Sequence, residues 1–264
     1  MLEPVEPGSP EKDPIDQILE KTRAAAQSET VSRPVHRYRS LLFQAYVVAA
    51  IIVFSLLALL ARTAAYFPLD LAITQALQAI DLLGLAWVMR LISWIGYNPQ
   101  SILLICLVIL LLLSVGLYWE ALAAGLAALA SGSLNVLIKL LIQRPRPAAE
   151  IVDVFRHLTD FSFPSGHVML YTGFFGFLWF LGYTLLKPSW KRTLLLLVFG
   201  GLVVLVGPSR IYLGQHWASD VLAGYLLSSL VLAVVIPFYR WGKPRFFVSQ
   251  SATSEVEPGK EDQP

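Results

Sequence analysis

Charges punctuate this chain at long intervals, and the apolar runs between them have the length of a membrane-crossing helix. No charged residue lies between Arg39 and Arg62, between Arg90 and Glu120, between Glu120 and Lys139, or from Val168 to Leu186. The stretch from Lys187 to Arg210 is broken only by Lys191 and Arg192, and that from Asp220 to Arg240 by none. A spanning helix needs about 17–25 mostly apolar residues, and a charge at the bilayer centre costs about 2.5–3.5 kcal/mol. The pattern predicts six spans, near 41–61, 99–118, 121–141, 168–186, 193–208 and 217–238. Residues 69–97 behave differently. Leu69, Ile73, Leu77 and Ile80 recur at helical spacing, and Asp70, Asp81 and Arg90 interrupt them. The segment predicts one or two amphipathic helices lying at the membrane surface, with Trp87, Trp94 and Tyr97 at headgroup level. The expected fold is all-α: a six-span helical bundle with amphipathic interfacial helices between the first and second spans.

Composition sharpens this picture. The 264 residues are 56% apolar and 14% charged, with a mean hydropathy of +0.63. Soluble domains carry about 25% charged residues. The deficit excludes an ordinary cytosolic globule, a disordered chain and a nucleic-acid-binding domain. A net charge of +2 points to no polyanionic partner. The single cysteine, Cys106, rules out an internal disulfide and a cysteine-built zinc or iron–sulfur site within one chain. Gly-x-Gly-x-x-Gly loops, Walker loops and repeats of 20–50 residues are missing. The first apolar run is too long for the core of a secretory signal and reads as a span. Residues 1–35 read as a disordered cytoplasmic tail with a short helix from Pro14 to Gln27, and 246–264 as a disordered acidic tail. The membrane-embedded domain is expected over 36–245.

The flanks set an orientation. RPVHRYR from Arg33, KPSWKR from Lys187 and YRWGKPR from Tyr239 alternate with the spans and are rich in Lys and Arg. The positive-inside rule places them, and both termini, in the cytoplasm of a cell-membrane protein. The opposite side still gathers Lys139, Arg144, Arg146 and Arg210 beside membrane spans. Charges at that position need a task.

Three clusters on that outer side carry candidate chemistry. In KLLIQRPRP, Lys139 precedes Arg146 and Pro147, and two prolines fix the chain as it leaves the helix. Arginine at a set position suits a tetrahedral oxyanion, although a snorkelling stop-transfer flank reads the same way in isolation. In FSFPSGH, Pro164 and Ser165 mark a helix start, Gly166 permits close approach to the backbone, and His167 sits where a helix dipole favours an anion. In SRIYLGQHWASD, His216 and Asp220 are four residues apart, so a helix beginning near Gln215 puts them on one face, with Arg210 just before. A carboxylate on one imidazole nitrogen leaves the other free as a nucleophile or ligand. An interfacial ion pair joining two helices is the competing reading. Arg144 and Arg156 read as exposed loop charges that at most extend a basic rim, and Asp153 and Asp160 as solvated carboxylates. His157 lies in the outer loop, His36 on the cytoplasmic flank, and Asn135 reads as a helix-packing residue.

Together, Lys-x6-Arg-Pro, Pro-Ser-Gly-His and Ser-Arg-x5-His-x3-Asp, in that order, resemble the type 2 phosphatidic acid phosphatase superfamily across roughly residues 135–225. The resemblance implies a helical bundle and metal-independent dephosphorylation through a phosphohistidine. Carried onto this chain, it makes His216 the nucleophile, Asp220 its orienting carboxylate and His167 the general acid. Lys139, Arg146 and Arg210, with the Ser165 hydroxyl and the Gly166 N–H, would hold the phosphoryl oxygens. It implies no metal and no cofactor. The substrate would be a lipid phosphate or polyprenyl diphosphate, of the phosphatidic acid, phosphatidylglycerol phosphate or undecaprenyl diphosphate class. A non-catalytic lipid-headgroup-binding or lipid-translocating protein would need the cations but not the His–Asp pair. A soluble haloperoxidase relation would not need the unbroken spans.

Overall fold

The computed structural model describes residues 33–244, with side chains from residue 37 on, and they form helices joined by turns and loops. The tails expected at 1–35 and 246–264 and the helix expected from Pro14 to Gln27 lie outside the described residues, except where a helix opens at Arg33. Among the described residues, eight helices follow one another: α1 Arg33–Thr63, α2 Pro68–Gln78, α3 Leu85–Ile95, α4 Gln100–Ser114, α5 Tyr118–Ile142, α6 Gly166–Leu185, α7 Trp190–Tyr212 and α8 Ala218–Lys243. The chain divides into two units, 1–46 and 47–264. The described part of the first is the opening of α1, whose Leu41, Leu42 and Phe43 are exposed.

Helices α1, α5, α6, α7 and α8 are each long and apolar enough to cross a bilayer, and α3 and α4 qualify only as a pair bent by 61°. This is an integral membrane protein with five or six crossing helices. The span expected at 99–118 is therefore shorter than its apolar run. Helix α4 stops at Ser114 because Gly116, at φ 80°, turns the chain in the left-handed region. The N–H groups of Gly116 and Leu117 bond back to the carbonyls of Leu113 and Leu112, closing the helix end. Fifteen residues rise only about 22 Å, less than the hydrocarbon core. Helix α5 then opens at Tyr118, which places Glu120 in its first turn and buries it, instead of leaving it between two spans.

Helix α6 is the centre of the second unit: 61% of its apolar window is buried, against 28–33% for α5, α7 and α8. The sequence explains the close packing. Helix α5 offers α6 the small side chains Ala123, Ala124, Ala127, Ala128 and Ser131, all buried, so the two backbones can approach. Tyr171, Phe174, Phe177 and Leu181 of α6 fill the remaining space against Val221, Val231 and Val235 of α8 and Val206 of α7. A π-helical turn, Tyr171–Phe175, lies in the middle of α6. On the other flank, Phe54, Leu57, Ala58 and Ala61 of α1 pack on Phe163 and Ala223. The antiparallel helices bring the end of α5, the start of α6, the end of α7 and the start of α8 to one end of the bundle.

Candidate active site

That end of the bundle holds a cavity of about 440 Å³ whose lining includes Lys139, Arg146, Gly166, His167, Arg210 and His216. Six of the eight residues singled out from the sequence thus share one wall. Ser165 and Asp220 are fully buried behind it.

Each side chain is placed by local chain chemistry. Gln143, at φ 55°, ends α5 and starts the loop that carries Arg144 and Arg146. Arg146 Nη1 donates to Gln215 O at 2.6 Å and lies 3.1 Å from His216 Nε2. Its Nε donates to Asp160 O at 2.9 Å and its Nη2 to Asp160 Oδ1 at 2.7 Å. Lys139 donates to the other Asp160 carboxylate oxygen and to Phe161 O. Asp160 is therefore not the merely solvated loop carboxylate expected. It remains 56% exposed, yet it bridges both cations. Partial burial works against its ionisation, but the Lys139 hydrogen bond and the charges of Lys139 and Arg146 win and hold its pKa at about 2.

Gly166 opens α6, and Ser165 has the extended backbone of a helix cap, but its hydroxyl caps nothing and has no partner. A Cβ on Gly166 would lie 2.9 Å from Asn135 Oδ1. Asn135 donates to Pro164 O at 2.9 Å, so it packs helices, as expected, and also lines the cavity. His167 falls in the first turn of α6, with Nε2 3.1 Å from Ser93 O. A Cβ on Gly96 would come within 2.4 Å of the His167 ring, so α3 can end there only as glycine.

Helix α7 extends to Tyr212, which puts Arg210 inside its last turn and completely buried. Arg210 Nη1 donates to Ser93 Oγ and, at 3.1 Å, to Tyr97 Oη. Its Nε and Nη2 have no partner. Buried guanidinium N–H groups without acceptors are costly and are seldom left so without a ligand.

The His–Asp pair is made differently from the expectation. Helix α8 begins at Ala218, after His216, so the two residues do not share a helical face. Asp220 Oδ2 instead accepts from Trp217 N at 2.9 Å at the helix start and lies 3.5 Å from His216 Nδ1, beyond a good hydrogen bond. Burial, then the charges of Arg146, Arg210 and Lys139, hold the His216 imidazole far below its ordinary pKa and so neutral. With Arg146 donating to Nε2, the imidazole proton belongs on Nδ1, facing Asp220.

Behind the cavity lies a cluster that the sequence reading missed. Arg144, expected to be an exposed loop charge, is 1% exposed. It pairs with Asp70 at 2.8 Å and Asp220 at 2.6 Å, and donates to Ser219 Oγ at 2.7 Å and Ala65 O at 3.1 Å. Asp70 also accepts from Ser219 N at 2.8 Å, and Ser162 donates to Asp220. Burying a guanidinium is tolerable where two carboxylates and a carbonyl meet it. Asp70 appeared in the sequence only as a charge interrupting an apolar run. Ser93, Ser162 and Gln215 gave no signal there. Among the described residues, no three His, Cys, Asp or Glu side chains gather so as to hold a metal ion.

Residues 120–244 match the family model "PAP2 superfamily". Phosphatidylglycerophosphatase B of Bacillus subtilis is 31% identical over 196 residues, which cover 72% of this chain and 93% of that protein. The chain belongs to the PAP2 superfamily. A crystal structure of a transmembrane PAP2-type phosphatidylglycerolphosphate phosphatase from Bacillus subtilis superposes with a TM-score of 0.64 at 31% identity, over 74% of this chain and 96% of that one. The undecaprenyl-diphosphatase BcrC of Bacillus subtilis is 35% identical over 121 residues, 45% of this chain and 55% of that protein. The PAP2 match contains every predicted site residue from Lys139 to Asp220. It leaves out Asp70, Ser93 and Tyr97, which this PAP2 phosphatase uses to hold Arg144 and Arg210.

Proposed function

We propose that this phosphatase removes the terminal phosphate from a lipid phosphate or polyprenyl diphosphate without a metal, through a phosphohistidine on His216. The observation that carries the reading is the convergence of Lys139, Arg146, Arg210, His167 and neutral His216 on one cavity at the end of a membrane-embedded bundle. A phosphate monoester is doubly charged, and its transition state spreads charge over three oxygens. Three fixed cations, the unpartnered Ser165 hydroxyl and the Gly166 N–H suit that charge. His216 Nε2 attacks phosphorus while the bond to the lipid oxygen breaks. His167, entering this step as the imidazolium beside the bound dianion, gives that oxygen its proton. The positive charge left on the His216 ring is met at Nδ1 by Asp220. Water then attacks the phosphohistidine and gives a proton to His167, the P–N bond breaks, and orthophosphate leaves. Arg146 and Lys139 exchange their contacts with His216 and Asp160 for phosphoryl oxygens as substrate enters.

The polar head would enter at bilayer level while the apolar chains stay among the helices of the 36–245 domain. The α6–α7 turn carries Lys187, the first turn of α7 carries Lys191 and Arg192, and α8 ends with Arg240 and Lys243, all at the bundle end opposite the cavity. The positive-inside rule makes that end cytoplasmic and turns the cavity outward, with both termini inside. Helices α2 and α3, with Trp87 and Trp94 exposed, then lie at the outer interface. The test is phosphate release by the purified protein from phosphatidic acid, phosphatidylglycerol phosphate and undecaprenyl diphosphate in EDTA. Release unaffected by the chelator is expected. Release that required an added divalent ion would overturn the metal-free mechanism. For the orientation, a cysteine at Ala149 should react with an impermeant thiol reagent in intact cells carrying Cys106→Ser, and one at Ser189 should not. The reverse pattern would put the chemistry in the cytoplasm.

A further inference from the structure

A second cavity, about 530 Å³ and mostly apolar, adjoins the candidate active site. Its wall is aromatic, made by Trp87, Trp94, Tyr97 and Phe155, and two arginines, Arg90 and Arg156, stand on that wall. The Arg90 guanidinium lies 4.4 Å from the Phe155 ring centre, and that of Arg156 lies 5.0 Å from the Tyr97 ring centre. Among the described residues neither arginine has a carboxylate partner, unlike Arg144 and Arg146. Tyr97 belongs to both cavities. Its ring has Arg210 at 5.3 Å and meets the His167 ring edge-on at 4.8 Å.

We infer that this cavity receives the part of the substrate that stays with the lipid, and that Arg90 and Arg156 bind a second, inner phosphate there. The inference rests on the proposed phosphatase reaction and deepens it. The leaving oxygen must lie beside the group that protonates it, which is His167. His167 touches Tyr97, so the leaving group points across Tyr97 into the aromatic cavity. Because Arg156 and Arg210 both sit over that ring, their guanidiniums are at most about 10 Å apart. Each guanidinium reaches a phosphate oxygen at about 2.8 Å. Two phosphates joined by one bridging oxygen, or by a glycerol unit, fit between them. The aromatic wall then takes the first apolar atoms of the lipid beyond the inner phosphate. A lipid with a single phosphate, such as phosphatidic acid, has nothing to offer Arg90 and Arg156. The substrate class is therefore a lipid with two phosphates, the outer one a monoester or the end of a diphosphate.

The experiment compares kcat/KM for phosphatidic acid, phosphatidylglycerol phosphate and undecaprenyl diphosphate, using the full chain and Arg156→Gln, Arg90→Gln and the double variant. The wild-type protein should prefer the two lipids with two phosphates. The double variant should lose about 10- to 100-fold on those, mainly through KM, and stay within about twofold on phosphatidic acid. Arg156→Lys should recover part of the loss. An equal loss on all three lipids, or no loss, overturns the inference. A binding measurement keeps the test independent of turnover. Phosphatidylglycerol, which has only the inner phosphodiester, should change the protein's tryptophan fluorescence saturably in neutral detergent micelles. The double variant should bind it about tenfold more weakly. Identical binding by both proteins overturns the inference. If this binding behaves as expected but none of the three lipids loses phosphate, the phosphatase reading falls and the anionic-lipid site stands.

Discussion

Helices α5 and α8 each have one end beside the candidate active-site cavity and the other at the far end of the bundle, and both ends bury charge. At the far end, Glu120 accepts from the Tyr239 hydroxyl at 2.8 Å and from Lys243, and Trp119 Nε1 donates to Tyr239 O at 2.9 Å. Every charged group in that cluster meets an opposite charge or a hydrogen-bond donor. At the cavity end, Arg210 Nε and Nη2 and Ser165 Oγ have no hydrogen-bond partner, and His216 Nδ1 has only Asp220, at 3.5 Å. A closed polar cluster stabilises the helix pair that carries it. An open one holds its groups at a cost in stability, for something that arrives from outside.

This difference can be broken at either end. The largest effect expected is from His216→Ala, which should lower turnover by roughly 10⁴-fold or more while the melting temperature in detergent stays within a degree or two. A variant with near-normal phosphate release would remove His216 from the chemistry. His167→Ala should follow, at about 10²–10⁴-fold, with the loss smallest on substrates whose leaving group needs no proton. Arg144→Ala should act on stability. It strands Asp70 and Asp220 and should cost about 3–5 kcal/mol, visible as a large drop in melting temperature and yield. A stable Arg144→Ala protein would show that the cluster behind the cavity is not structural. Glu120→Gln at the far end should cost about 1–2 kcal/mol and leave kcat/KM within twofold, since nothing there faces the cavity. If Glu120→Gln lost activity at unchanged stability, the division between closed and open ends would be wrong.

The smallest effect expected is a pH dependence. Asp160 has its folded pKa at about 2, below the ordinary 3.8, so its ion pairs contribute stability above about pH 4. That contribution is lost as pH falls through 2. The melting-temperature gap between wild type and Asp160→Asn should be constant above pH 5 and close between pH 4 and 2. The pair is half exposed, so the gap should also shrink with salt. A gap that persists at pH 2 would mean Asp160 acts by shape and not by charge.

Much of the bundle was legible in the apolar runs, because in a bilayer a long uncharged run has few alternatives to a helix. The departures came where one residue outweighed the run. Gly116 ended α4 early, and packing drew Glu120 into α5. The cavity-lining residues Lys139, Arg146, His167, Arg210 and His216 stood out in the sequence because they are charged or ionisable in a chain where such residues are scarce. Their supports were not. Asp70 reaches Arg144 across 74 positions, and Ser93 reaches Arg210 across 117. Nothing in local spacing encodes contacts of that range. The same limit explains Arg144 and Asp160: a sequence shows a charge in a loop, but the fold decides whether the loop turns inward.

Asp160 gives the cavity an anion of its own. In the proposed reaction, a phosphate arriving there meets Lys139 and Arg146 already sharing one carboxylate, so occupancy is in part a ligand swap and not the filling of a bare positive hole. The energy gained is the difference between two anions on the same cations, far smaller than the attraction of a dianion to two free charges in a low dielectric. A swap of that kind favours turnover over retention. On the proposed mechanism, orthophosphate, once formed, competes with a carboxylate tethered a few ångströms away, whose effective concentration does not fall when the product leaves.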